Sequence, residues 1–97
     1  MEIKLAGVTF GDCQHNIKKW AGLGMSYRLH RELDNKFDPN AISVRFMNDH
    51  LGYIPKYLAK DLSVQLDNGK SMLAYFIKIN DSFDREEKTL GMTVEVK

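Results

Sequence analysis

Apolar residues in this chain mostly return at every second position, in runs too short to be helices. Met25, Tyr27 and Leu29 alternate with Arg28 and His30, Ile42, Val44 and Phe46 with Ser43 and Arg45, and Met92, Val94 and Val96 share one face of the final run. Such a period puts one side of each run against a core and the other toward water. The opening "EIKLAGVTF" and the apolar "SMLAYFIKIN" behave alike, and "NDH" offers a tight turn inside a hairpin over residues 42–54. Strands are therefore expected near residues 2–10, 25–32, 42–47, 50–54, 71–81 and 89–97. "DSFDREEKT" supplies a polar turn before the last of them.

One segment breaks the period. Leu58, Leu62 and Leu66 recur four apart, Pro55 suits a first helical position and Asn68-Gly69 a left-handed stop, which predicts a helix over residues 55–67. A second, short helical segment near residues 15–20 would end at Gly22 or Gly24, with Trp20 as a core residue beneath it. Six short strands and one clear helix point to an all-β barrel with helical insertions. Closing the sheet removes the edges that short strands otherwise expose, and the helix would seal one open end.

The 97 residues suffice for a single domain over residues 1–97 with one modest core. No apolar run approaches the ~20 residues that cross a bilayer, so no membrane role is expected. "MEIKLAGVTF" lacks the layout of a secretion signal, and a lone cysteine, Cys13, fits a reducing compartment. Both features predict a cytoplasmic protein. Net charge is +1, but residues 1–60 carry nine Lys/Arg against six Asp/Glu, while residues 61–97 carry five against seven. A polyanion would meet the first part of the chain.

The stretch "LDNKFDPNAISV" places Phe37 among turn formers and charges. Its ring either plugs the loop onto the core or faces something flat that arrives from outside. Phe10, at a strand end, is open to the same two readings, whereas Tyr53, opposite Ile54, is expected to be exposed. Asp38 precedes Pro39, so its carboxylate can cap the N–H of Asn40 or Ala41. Lys36, Lys56 and Lys60 are candidate cations. Lys56 and Lys60 would otherwise be the solvated side of a helix, and a helix start adds partial positive charge at Lys56.

With "AGVTF" upstream, "RELDNKFDPNAISV" followed closely by "LGYIPKYLAKDL" resembles the HIRAN domain family, small modules found at the N-terminus of SWI/SNF-type helicases and alone in bacteria. The likeness runs from about Leu5 to about Asn68. It implies an OB-like six-stranded β-barrel with two helices that binds single-stranded DNA, above all a free 3′ end. By position it implies a docking rim at Thr9 and Phe10, and loop contacts from Asn35, Phe37 and Asp38, with Asp38 accepting from the terminal sugar hydroxyl. Tyr53 and Lys56 would add a second surface and a phosphate contact. The family's DNA-binding pattern has an arginine, a tyrosine and a histidine where this chain has Thr9, Phe37 and Tyr53. The aromatic faces are kept while some polar contacts are not.

Single-strand binding needs such aromatic faces with cations beside them. Other chemistries find little support. Cys13, His15, His30 and His50 have no paired ligand spacing, so no metal or other cofactor is expected. Asp34 and Asp38 lack a third acid at suggestive spacing, there is no glycine-rich phosphate loop, and the chain does not read as an enzyme. Met25, Met47, Met72 and Met92 are expected to pack in strands. The expected partner is single-stranded DNA, bound by a monomer. The alternative is a protein-interaction barrel that uses the same surface with Phe37 as anchor, and a net charge of +1 gives it weight.

Overall fold

A computed structural model describes residues 1–81 and 89–97. In chain order it contains β1 (Glu2–Lys4), α1 (Cys13–Trp20), β2 (Ser26–Arg31), β3 (Ile42–Phe46), β4 (Asp49–Tyr53), α2 (Lys56–Asp67), β5 (Leu73–Asp81) and β6 (Leu90–Val96). Residues 82–88 of the expected polar turn lie outside the described residues. All six strands join one antiparallel sheet in the order β1-β6-β5-β2-β3-β4. The alternation holds where it was clearest: Tyr27 and Leu29 are buried while Arg28 and His30 are exposed.

The sheet curls into a half-barrel, mostly β with two helices, in the OB-like manner. Bulges near Val44/Arg45 and Phe76/Lys78 add to the bend. Among the described residues its two edges meet at one point. Ala6 and Tyr53 exchange both backbone hydrogen bonds at 2.8 Å, an isolated bridge rather than a ladder. This corrects the expected first strand over residues 2–10. β1 stops at Lys4, and at Gly7 the backbone enters the left-handed region (φ 62°), outside regular strand geometry. The Phe10 N–H then donates to the Gly7 carbonyl, closing a turn.

Other boundaries move for similar reasons. α1 begins at Cys13, two residues before the expected segment, and ends where Ala21 is extended (ψ 129°). The β3–β4 turn falls on Met47 and Asn48, one residue early, with Met47 at φ 55°. Met47 is therefore exposed at a turn rather than packed in a strand, unlike Met92, which is fully buried. Ser43, placed by alternation on the wet face, is buried too.

The core lies inside the curl, around Ile3, Tyr27, Ile42, Val44, Leu51 and Val94. α1 contributes Ile17 and α2 contributes Ala59 and Leu62, with Leu58 and Leu66 packed against the same cluster. Trp20 is half-buried and packs against the same cluster. Its ring tilts over Phe46 at 4.2 Å between centroids, and Nε1 donates to Asp49 Oδ2 at 2.6 Å. Arg31 ties the end of β2 to the end of α2, donating from Nε to Asp67 Oδ1 at 3.0 Å and from Nη1 to the Ala41 carbonyl at 3.0 Å.

Candidate functional site

The loop between β2 and β3 is built by its own polar side chains. Asn35 Oδ1 accepts the backbone N–H groups of Phe37 (2.9 Å) and Asp38 (3.0 Å), and Asp38 Oδ1 accepts that of Asn40 (3.0 Å). At the base, the Glu32 N–H donates to the Ala41 carbonyl at 3.0 Å. Short side chains that bond the backbone two or three residues on fix a turn without any core contact. Phe37 is accordingly free to point outward and is 95 % exposed. It is not a plug.

Facing that loop is Tyr53 at the end of β4, half-buried rather than exposed. Its hydroxyl donates to Glu32 Oε1 at 3.0 Å, the same oxygen that accepts from Asn35 Nδ2 at 3.0 Å. Arg45 Nη2 donates to Glu32 Oε2 at 3.2 Å, and Arg45 Nε to Ser43 Oγ at 2.8 Å. One carboxylate thus joins the loop to the sheet. Burial pushes the Glu32 carboxyl up, but hydrogen bonds from Asn35, Tyr53 and Arg45 outweigh it and leave the group below its ordinary value. Burial and then the Glu32 carboxylate push the Tyr53 phenol up to about 12, so the hydroxyl keeps its proton.

Behind Tyr53, the His50 ring stands edge-on to it at 4.6 Å between centroids, and Phe10 meets Tyr53 at 6.4 Å. Burial and then Arg45 hold His50 below its ordinary value, a neutral ring whose Nε2 lies 3.0 Å from the Gly52 carbonyl oxygen. Gly7 also lies against the Tyr53 ring. A Cβ there would lie 2.9 Å from Tyr53 Cδ2. The wall is tight.

Between loop and wall lies a hollow of about 330 Å³. Phe10, Asn35, Phe37, Asp38, Tyr53 and Lys56 all line it, so the fold gathers six of the seven sequence-derived site residues into one place. Thr9, the seventh, is exposed on the adjoining turn and does not line it, and neither do Lys36 and Lys60. The remaining lining is apolar or backbone: Ala6, Gly7, Ala41 and Ile54. Gly7 was present in "AGVTF", but nothing in an alternating pattern marks a left-handed residue. Glu32 was present in "RELDN" without signalling that its partners would come from β3 and β4. Among the described residues no group of three or more His, Cys, Asp or Glu side chains is placed to hold a metal ion. No helix among them is long and apolar enough to cross a membrane.

The family model of the HIRAN domain matches residues 2–97, and the chain belongs to that family. HIRAN domains are in general nucleic-acid-binding modules rather than catalysts. Among solved structures, a Lactobacillus plantarum protein from structural genomics superposes with a TM-score of 0.71 at 22 % identity, covering 99 % of this chain and 91 % of its own. The HIRAN domain of human HLTF superposes with a TM-score of 0.59 at 21 % identity, covering 97 % of this chain and 73 % of that one. At these identities the likeness is one of fold. No curated protein sequence matches.

Proposed function

We propose that this protein binds single-stranded DNA and takes a free 3′ end into the hollow between the β2–β3 loop and β4. The observation that carries this reading is a pair of exposed rings, Phe10 at 64 % and Phe37 at 95 %, lining one apolar hollow of about 330 Å³. An aromatic left in water forgoes the ~1.5–3 kcal/mol that its burial returns. A stacked base recovers ~1–3 kcal/mol, with little demand on sequence. Tyr53 adds a third ring, held by Glu32, and Lys56 lies where a phosphate would leave the hollow.

Asp38 supports preference for the end. Its Oδ1 is spent on the Asn40 N–H, while among the described residues Oδ2 accepts no hydrogen bond. That oxygen accepts from a 3′-hydroxyl and repels a 3′-phosphate. Asn35 acts by shaping the loop, and Thr9 by bordering the entrance. The protein works as a monomer in the cytoplasm, where the buried thiol of Cys13 stays reduced.

The test is a titration of 5′-labelled oligonucleotides, ending in a 3′-hydroxyl or a 3′-phosphate, followed by fluorescence anisotropy at several salt concentrations. Binding that weakens with salt and favours the hydroxyl end supports the reading, because displaced counterions give the slope. Equal affinity for both ends leaves strand binding without end capture. No oligonucleotide binding, with a polypeptide ligand seated on Phe37 instead, would make the hollow a protein-interaction surface.

A further inference from the structure

We propose that a second groove, at the far end of α2, is a further subsite for the same single strand, stacking a base on Tyr75 and holding phosphates with Lys70 and Lys97. The proposal rests on the binding reading above and extends it. The groove, of about 550 Å³, is lined by Leu66, Lys70, Met72, Leu73, Tyr75 and Lys97, together with Ser71. Lys97 Nζ sits 5.3 Å from the centre of the Tyr75 ring. Lys70 Nζ donates to the neutral Gln65 Oε1 at 3.1 Å. Among the described residues neither lysine forms an ion pair with a side-chain carboxylate. An aromatic face beside cations is the pairing that non-specific strand binding uses.

The geometry of α2 joins this groove to the first hollow. Lys56, at the start of the helix, lines the hollow, and Leu66, near its end, lines the groove. A helix of 12 residues spans about 18 Å. Along it Lys56, Lys60, Val64 and Asn68 are all exposed and spaced four apart, a continuous row with no acidic member. Asp61 lies off that row, and Asp67 is occupied by Arg31. A strand whose end sits in the hollow is thus led by Lys56 and Lys60 toward Lys70, Tyr75 and Lys97. The partner is a nucleic-acid strand of several nucleotides, within the ~4–16 that such barrels engage.

The subsite predicts a length dependence. With 5′-labelled oligonucleotides ending in a free 3′-hydroxyl, a ten-nucleotide strand should bind about tenfold tighter than a three-nucleotide one, the worth of one further stacked base. Tyr75→Ala should remove that gain while leaving the short strand's affinity unchanged. Because Tyr75 is half-buried, the double variant Lys70→Gln/Lys97→Gln supplies a second test with little risk to the fold. It should lower the salt slope of the longer strand by about 1.4, at ~0.7 per phosphate, and leave that of the shorter one alone. End binding with no gain from length, or a loss equal for both lengths, overturns the groove and leaves the end site standing. Absence of binding at either length overturns both.

Discussion

The tip of the β2–β3 loop and the β4 wall border one hollow and are held there in opposite ways. At the tip, the backbone is fixed and the ring is free: Asn35 and Asp38 bond the main chain, while Phe37 is 95 % exposed. At the wall the side chain itself is fixed. The Tyr53 hydroxyl is held by Glu32, its ring lies edge-on to His50, and Gly7 packs closely against it. A domain this small has a net stability of only about 5–15 kcal/mol, and it cannot anchor every residue of a site in its core. Here local turn chemistry supports one half and tertiary packing the other. Stability and binding should therefore separate at the tip and fall together at the wall.

The wall gives the largest effects. Tyr53→Ala removes a half-buried ring and leaves Glu32 with one donor fewer, so urea unfolding should show a loss of about 2–4 kcal/mol, short of the ~3–5 typical of a fully buried aromatic. Oligonucleotide affinity should fall with it. A loss below ~0.5 kcal/mol, the range of an ordinary surface change, would erase the contrast between wall and tip. Gly7→Val comes next, at about 1–3 kcal/mol, since a β-branched residue at φ 62° is strained and its Cβ meets Tyr53. Combined with Tyr53→Ala, the part due to the collision should vanish and the backbone strain should stay. The pair would then be less than additive.

Glu32 sharpens the comparison, because its carboxylate serves both halves. Glu32→Gln should cost about 1–2 kcal/mol, toward the low end for hydrogen bonds to a charged group, since the amide still accepts one of them. The pH dependence fixes the origin. Glu32 in the fold lies below its ordinary value of 4.5, with hydrogen bonds from Asn35, Tyr53 and Arg45 overcoming burial. Its contribution is therefore present above pH 4.5 and lost as pH falls through the lower folded value. The stability difference between wild type and Glu32→Gln should shrink over that window. His50, held low by burial and then Arg45, imposes its own loss below its ordinary 6.5, which is why the difference between variants is the quantity to follow.

The same division explains what could be read from the sequence. β2, β3, β4 and β6 were legible because a period of two is a local property, and α2 because Pro55, three leucines and Gly69 mark it from end to end. The tip was legible for the same reason, since Asn35, Asp38 and Pro39 announce a turn on their own. The wall was not. The left-handed backbone at Gly7 is invisible to an alternating pattern, which carried the first strand on to residue 10. Glu32 meets Arg45 from 13 residues away and Tyr53 from 21, and no spacing in one sequence reveals such pairs. Closure through a single Ala6–Tyr53 bridge, rather than a full ladder, is a tertiary outcome of the same kind.

The smallest stability effect carries the most weight. Phe37→Ala deletes a ring that sits almost wholly in water, so the urea midpoint should shift by no more than ~0.5 kcal/mol in free energy. The loop should keep its shape, because the hydrogen bonds to Asn35 Oδ1 and Asp38 Oδ1 involve none of the ring atoms. Affinity for a single strand should nonetheless weaken by ~1–3 kcal/mol, the worth of one stacked base. Phe37→Tyr should retain it, since the face that stacks is unchanged. A stability loss near the ~3–5 kcal/mol of a buried phenylalanine would mean that the ring folds under the loop in solution. The platform would then consist of Phe10 and Tyr53 alone, and the tip would be anchored in the same way as the wall.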